Sequence, residues 1–199
     1  MTLLFSTIND NNLIKEIAKG AVGVLPTDTV YGLVASARNP RAVERLYKLK
    51  QRENKPGTVI AASCEQLIQL GVEQKYVDNA KAFWPNQISI ILPVDPKLDY
   101  LSQGVGSIAF RVVADIALRT LLEKTGPLLT SSANDPGDPP ATTIQMAKDY
   151  FHDKVAYYVD GGKKSDNPST IIQIHDAGVT VIRQGVFVLP LTLKFFKEC

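Results

Sequence analysis

The segment from Gly20 to Pro56 restricts this chain to few folds. A short apolar run, Val22 to Leu25, ends at Pro26-Thr27-Asp28-Thr29-Val30-Tyr31-Gly32-Leu33, and the helical stretch that follows finishes on Lys50-Gln51-Arg52 and Lys55-Pro56. A strand feeding a helix through a hydroxyl-rich turn is the repeating unit of α/β architecture. Here the turn and the helix end can bring small polar groups and fixed positive charge together, which suits an anionic ligand such as a nucleotide phosphate.

The alternation continues along the chain. Asn9 or Asp10 predicts the cap of a helix with Leu13, Ile14, Ile17 and Ala18 on its apolar face, stopped at Gly20 before a strand over 21–25. Asn39-Pro40 reads as cap and first residue of a helix with Val43, Leu46 and Tyr47 inward. Further strands are predicted at Thr58 to Ala62, Ile88 to Val94, Ser107 to Val113, Leu128 to Thr130, Ala156 to Val159, Thr170 to His175 and Thr180 to Ile182. Helices are predicted around Val77 to Trp84, at Ile116 to Lys124 and at Thr143 to Phe151, and Asp135-Pro136-Gly137-Asp138-Pro139-Pro140 is the strongest turn signal. The helix-strand alternation demands crossovers, while the closely spaced last strands can pair antiparallel. The expected fold is therefore a single α/β domain over residues 1–199, with a twisted mixed sheet flanked by helices, a motif-bearing core from about 20 to 185 and a tail over 186–199.

Composition narrows the class. With 199 residues, 45% hydrophobic and 21% charged, the chain is that of a soluble, enzyme-sized domain, and a net charge of +2 provides no global field toward nucleic acid or membrane. Arg38, Arg41, Arg45 and Lys48 read as a solvated helix face. Cys64, Cys199, His152 and His175 have no metal-ligand spacing, so no protein-ligated metal is expected. Met1 to Ser6 is too short for the apolar region of a leader and no later run reaches membrane-spanning length, so the expected location is the cytoplasm. There is no Walker loop, dinucleotide fingerprint or local signature of a hydrolytic triad.

Three polar segments fall at predicted strand ends: Thr27 to Tyr31, Thr130-Ser131-Ser132-Ala133-Asn134, and Asn167-Pro168-Ser169-Thr170. Ligands of open α/β sheets bind at such ends, so these clusters are candidates for one pocket, although each alone also suits a cap or turn. Arg111 and Arg183 each follow an apolar β-like run, where a guanidinium needs a protein carboxylate or a ligand anion.

In these residues the chain resembles the threonylcarbamoyl-AMP synthases, the YrdC-like or TsaC-like family. The likeness rests on Pro26 to Leu33, Lys50-Gln51-Arg52 with Lys55, Ser107-Ile108-Ala109-Phe110-Arg111, Ser132-Ala133-Asn134, Asp160-Gly161-Gly162 leading to Pro168-Ser169-Thr170, and Ile182-Arg183-Gln184-Gly185, in the family's order. The resemblance implies a basic concave pocket and a reaction in which L-threonine, bicarbonate or carbon dioxide, and ATP give threonylcarbamoyl-AMP and diphosphate for tRNA modification. It implies that Thr29, Arg111, Thr130 and Ser169 contact threonine. Lys50, Arg52, Lys55, Ser107, Ser132, Asn134, Pro140 and Arg183 would line the ATP site, with Lys50 and Arg52 as catalytic cations and magnesium carried by ATP. Implied partners are tRNA or double-stranded RNA and the proteins that transfer the threonylcarbamoyl group onward. The alternative is a divergent YrdC-like protein that binds RNA or nucleotide without synthase chemistry. The chain departs from the family pattern at Glu53, where a proline is usual, and at Trp84-Pro85-Asn86-Gln87-Ile88-Ser89, where the family has Trp-Pro-Gly-Pro-Leu-Thr.

Overall fold

A computed structural model describes residues 2–175 and 178–189. The expected C-terminal tail, from residue 190 onward, and Cys199 lie outside the described residues. In order, the chain forms β1 (Leu3–Phe5), α1 (Asn11–Ala18), β2 (Gly23–Pro26), β3 (Tyr31–Ser36), α2 (Pro40–Lys50), β4 (Thr58–Ala61), α3 (Cys64–Leu70) and α4 (Gln74–Ala80). There follow β5 (Ile88–Pro93), α5 (Asp99–Ser102), β6 (Ser107–Val112), α6 (Ile116–Thr125), β7 (Leu128–Ser132), α7 (Ile144–Phe151), β8 (Tyr157–Val159), β9 (Thr170–His175) and β10 (Gly178–Arg183).

The described strands make one sheet in the order β1-β8-β2-β3-β7-β4-β6-β5-β9-β10. It is mixed, as the alternation demands: β4 and β6, and β5 and β9, run parallel, whereas β2–β3, β3–β7, β5–β6 and β9–β10 are antiparallel. Successive side chains of a strand point to opposite faces. Along β3, Tyr31, Leu33 and Ala35 accordingly join a core layer with Val43 and Leu46 of α2, while Val34 joins a second layer with Leu13 and Ile17 of α1 and Leu118, Leu121 and Leu122 of α6.

Local chemistry sets the helix starts. Asp10 Oδ1 accepts from Asn12 N–H, Asn39 Oδ1 accepts from Ala42 N–H with Pro40 opening α2, and Asp115 and Thr143 cap α6 and α7. Four elements have no counterpart among the expected ones. β1 and α5 are only three and four residues long. α3, capped by Ser63, fills the gap after β4. β3 begins inside the motif read as a turn: only Thr27 to Val30 reverse the chain, and Pro26 pairs with Tyr31 and Leu25 with Gly32. Tyr31 to Ala35 is buried on both faces and so lacks the alternation by which strands are recognised.

Candidate active site

The β2–β3 turn, the loop after α2, the start of β6, the end of β7 and the β9–β10 hairpin surround a cavity of about 260 Å³. Its lining includes Thr29, Arg52, Ser107, Arg111, Thr130, Ser132, Ser169 and Arg183, which the topology therefore gathers from six separate stretches of chain. Two glycines make room for Thr130: a Cβ on Gly32 would stand 2.4 Å from Thr130 Oγ1, and one on Gly57 2.5 Å from its carbonyl oxygen. Any larger residue at either position displaces the cavity wall.

Arg111 is 3% exposed and already partnered. Its Nη2 donates to Asp28 Oδ1 at 2.8 Å and its Nη1 to Ser89 Oγ at 3.1 Å. Ser89 Oγ in turn lies 3.1 Å from Ser169 Oγ, and Arg183 donates through Nη2 to the Ser169 carbonyl oxygen at 2.8 Å. Arg183 is held below the usual arginine range by burial first, and then by the charges of Arg111 and Arg52. Those two residues thus share one electrostatic environment with it. Three arginines line the cavity, and the ion pair to Asp28 is the one carboxylate pairing they make among the described residues. The surplus charge selects for anions.

Lys50 lies behind the wall, 2% exposed. Its Nζ donates to Ser132 O at 3.0 Å, to Asn134 Oδ1 at 2.9 Å and to Asn134 O. Ser132 Oγ also donates to Asn134 Oδ1 at 2.7 Å, so the ammonium ties together the turn after β7. Burial, and then the charge of Arg52, lowers the Lys50 pKa to about 8. Lys55 is exposed on the loop after α2, and Pro140 lies beyond the Asp135 to Asp138 turn; like Lys50 and Asn134, neither lines the cavity. Among the described residues, Arg52 Nη1 reaches only the carbonyl oxygens of Lys55 and Pro56, at 3.4 and 3.5 Å.

Sequence reasoning did not single out Asp28, Ser89, Gln87 or Gln103. Asp28 lay inside the leading motif, and the carboxylate that a buried Arg111 requires was the signal for it. Gln87 Nε2 donates to the Asp28 carbonyl oxygen, bracing the turn of β2–β3 from a position where the resembling family has proline. Gln103 donates to Arg52 O at 2.7 Å and accepts from Lys55 N–H at 3.1 Å, fixing the loop that carries Arg52. No local pattern announced Gln103, and Gln87 stood out only as a departure from the family pattern. Among the described residues, no group of three or more His, Cys, Asp or Glu gathers to hold a metal, and no helix is long and apolar enough to cross a membrane.

The Sua5/YciO/YrdC family profile, described as telomere recombination, matches residues 15–185. The chain belongs to that family. It is 36% identical over 172 residues to the threonylcarbamoyl-AMP synthase of Pseudoalteromonas translucida, covering 78% of this chain and 87% of that one. It is 31% identical over 185 residues to the Vibrio campbellii enzyme of the same name, covering 89% and 99%. Among solved structures, P. abyssi Sua5 complexed with L-threonine superposes with a TM-score of 0.80 at 27% identity, over 93% of this chain and 57% of that one. The chain thus spans little more than half of that longer family member. E. coli YciO superposes with a TM-score of 0.80 at 25% identity, over 94% and 97%. The shared fold is the mixed sheet flanked by helices described above.

Proposed function

We propose that this chain is an L-threonylcarbamoyladenylate synthase, a nucleotidyltransferase that joins L-threonine, bicarbonate or carbon dioxide, and ATP into threonylcarbamoyl-AMP and diphosphate. The observation that carries the reading is the division of labour among the three cavity arginines. Arg111 is locked by Asp28 and Ser89 beside the hydroxyls of Thr29, Thr130 and Ser169, a setting for a small carboxylate. Among the described residues, Arg52 and Arg183 have only oxygen acceptors of the backbone and of Ser169, and their charge is left for a polyphosphate.

In this reading the threonine amine takes up carbon dioxide as a carbamate, a carbamate oxygen attacks the α-phosphorus, and diphosphate leaves. Negative charge grows on the phosphoryl oxygens and the departing diphosphate, and Arg52, Arg183 and the magnesium ion carried by ATP offset it. Lys50, through Ser132 and Asn134, shapes the turn on which the nucleotide rests, with Ser107, Lys55 and Pro140 at its margins. No covalent nucleophile is required, because positioning and charge compensation carry the step. The product serves the modification of adenosine in tRNA, with the transfer proteins of that modification as downstream partners and the cytoplasm as the place of action. The test is to incubate purified protein with ATP, magnesium, bicarbonate and labelled threonine. Threonylcarbamoyl-AMP and diphosphate that form only when all three substrates are present support the reading, and substrate binding without product assigns the chain to the non-catalytic alternative.

A further inference from the structure

The hydroxyls around the cavity cease to be interchangeable once their protons are counted. A guanidinium only donates, whereas a serine or threonine hydroxyl has one proton to give and lone pairs to receive. Arg111 Nη1 donates to Ser89 Oγ at 3.1 Å, and Ser169 Oγ, 3.1 Å away, is the other hydrogen-bond neighbour of the fully buried Ser89 among the described residues; of the two orientations open to that pair, only Ser89 donating to Ser169 leaves no buried proton without an acceptor. Ser169 Oγ also receives from Arg183 Nη2 at 3.3 Å. With Ser89 as the donor of that pair, the Ser169 proton has no other protein acceptor among the described residues and is available to the cavity that Ser169 lines.

The opposite holds at Thr29. Thr27 Oγ1 donates to the Val30 carbonyl oxygen at 2.6 Å, so in its 3.2 Å contact with Thr29 Oγ1 it can only accept. The Thr29 proton is committed to Thr27, which leaves Thr29 with lone pairs.

We propose that Ser89 and Thr27 impose a hydrogen-bond polarity on this cavity, making Ser169 a donor to the carboxylate of a zwitterionic amino acid and Thr29 an acceptor for its ammonium or carbamate N–H. The proposal rests on the amino-acid site of the proposed function and adds what that reading lacks, the direction in which the substrate lies. A substrate inserted backwards meets Arg111 with its ammonium and Thr29 with its carboxylate, and both contacts repel. Ser89 is a positioning residue: it is fully buried, does not line the cavity, and acts through Ser169. Its partnership with Arg111 makes the relay one unit, because a hydroxyl polarised by a cation is a stronger donor to the next group.

The test measures L-threonine affinity by calorimetry for the wild type, Ser89→Ala, Ser169→Ala, the double variant and Ser89→Thr. Each alanine variant is expected to weaken binding about tenfold, the size of a lost hydrogen bond to a charged group. The double variant should lose no more than the weaker single, since the two residues act in series. Ser89→Thr restores affinity, and binding of L-threonine methyl ester, which lacks the anionic oxygen, changes less than about twofold in Ser89→Ala. Additive losses, unchanged affinity in Ser89→Ala, or an equal loss for the ester overturn the proposal. A wild type that binds no threonine overturns the proposed function instead. Neutron diffraction from the ligand-free wild type decides the polarity in that case and in the case of variants that do not fold. A Ser169 deuteron directed into the cavity supports the proposal, and one directed at Ser89 overturns it.

Discussion

Arg111 and Arg52 face one cavity from opposite starting conditions. Arg111 is buried against a carboxylate at 2.8 Å and a serine hydroxyl at 3.1 Å, on a central strand of the sheet. Arg52 stands on a loop, touches two carbonyl oxygens at 3.4 and 3.5 Å, and has no carboxylate partner among the described residues. A buried ion pair gains little net stability after desolvation, but it fixes the direction of a guanidinium fork. An unpaired cation at a cavity edge has no fixed direction, yet its full charge remains to be neutralised by whatever binds. One arginine is built for geometry and the other for charge, and substitutions at the two should therefore fail in different ways.

The largest effect is expected from breaking the prepared side. Asp28→Ala leaves Arg111 as a buried charge without its carboxylate, which costs about 3–5 kcal/mol of folding stability. Chemical denaturation reads this directly, and a variant as stable as the wild type would mean that Arg111 is solvated after all. Next comes Arg52→Ala, where about 3–4 kcal/mol of transition-state stabilisation, or two to three orders of magnitude in turnover, is expected to vanish with the melting temperature unchanged. A fall in melting temperature alongside turnover would erase the contrast with Arg111.

Lys50 sharpens the comparison through pH. Its ammonium serves three acceptors in the turn from Ser132 to Asn134, and a neutral amine has only two N–H groups to offer them. With a folded pKa of about 8, turnover should fall about fivefold between pH 8 and 9 as the third donor is lost. Stability moves the other way. Between about 8 and the ordinary 10.5 the unfolded chain binds more protons at Lys50 than the folded one, so this residue's contribution to stability rises with pH across that window and is lost as pH falls through about 8. Opposite slopes of activity and stability identify Lys50, and parallel slopes point to another group. The smallest effect concerns side-chain choice: L-valine should be used less well than L-threonine by about 1 kcal/mol or more, because Thr130, the cavity hydroxyl not committed to the substrate's carboxylate or amine, loses a partner. Equal use of valine would count against a hydroxyl-matched pocket.

What the sequence disclosed follows from the range of the interactions involved. Asn39-Pro40 and the inward Val43, Leu46 and Tyr47 placed α2 and its terminal Lys50 correctly, because caps and helical periodicity are local. Strands β4, β5, β6 and β9 were legible as β-branched apolar runs, and the hydroxyl clusters after β2, at the end of β7 and before β9 converge on one cavity. The links that give the cavity its character were not legible. Asp28 and Arg111 are 83 residues apart, and Ser89 and Ser169 are 80 apart, so their pairing exists only after the sheet has formed. The family resemblance implies that Lys50 faces the nucleotide. The structure turns its ammonium onto carbonyl oxygens, a contact that no local pattern encodes.

The most direct measurement is the pair of affinities, for L-threonine and for magnesium-ATP, in Arg111→Lys and in Arg52→Ala, each alongside its melting curve. The account predicts a crossing. Arg111→Lys keeps the charge but loses the fork and binds threonine poorly while holding ATP, and Arg52→Ala loses ATP while holding threonine. Both ligands weakening together in either variant would contradict the division of labour between the two arginines.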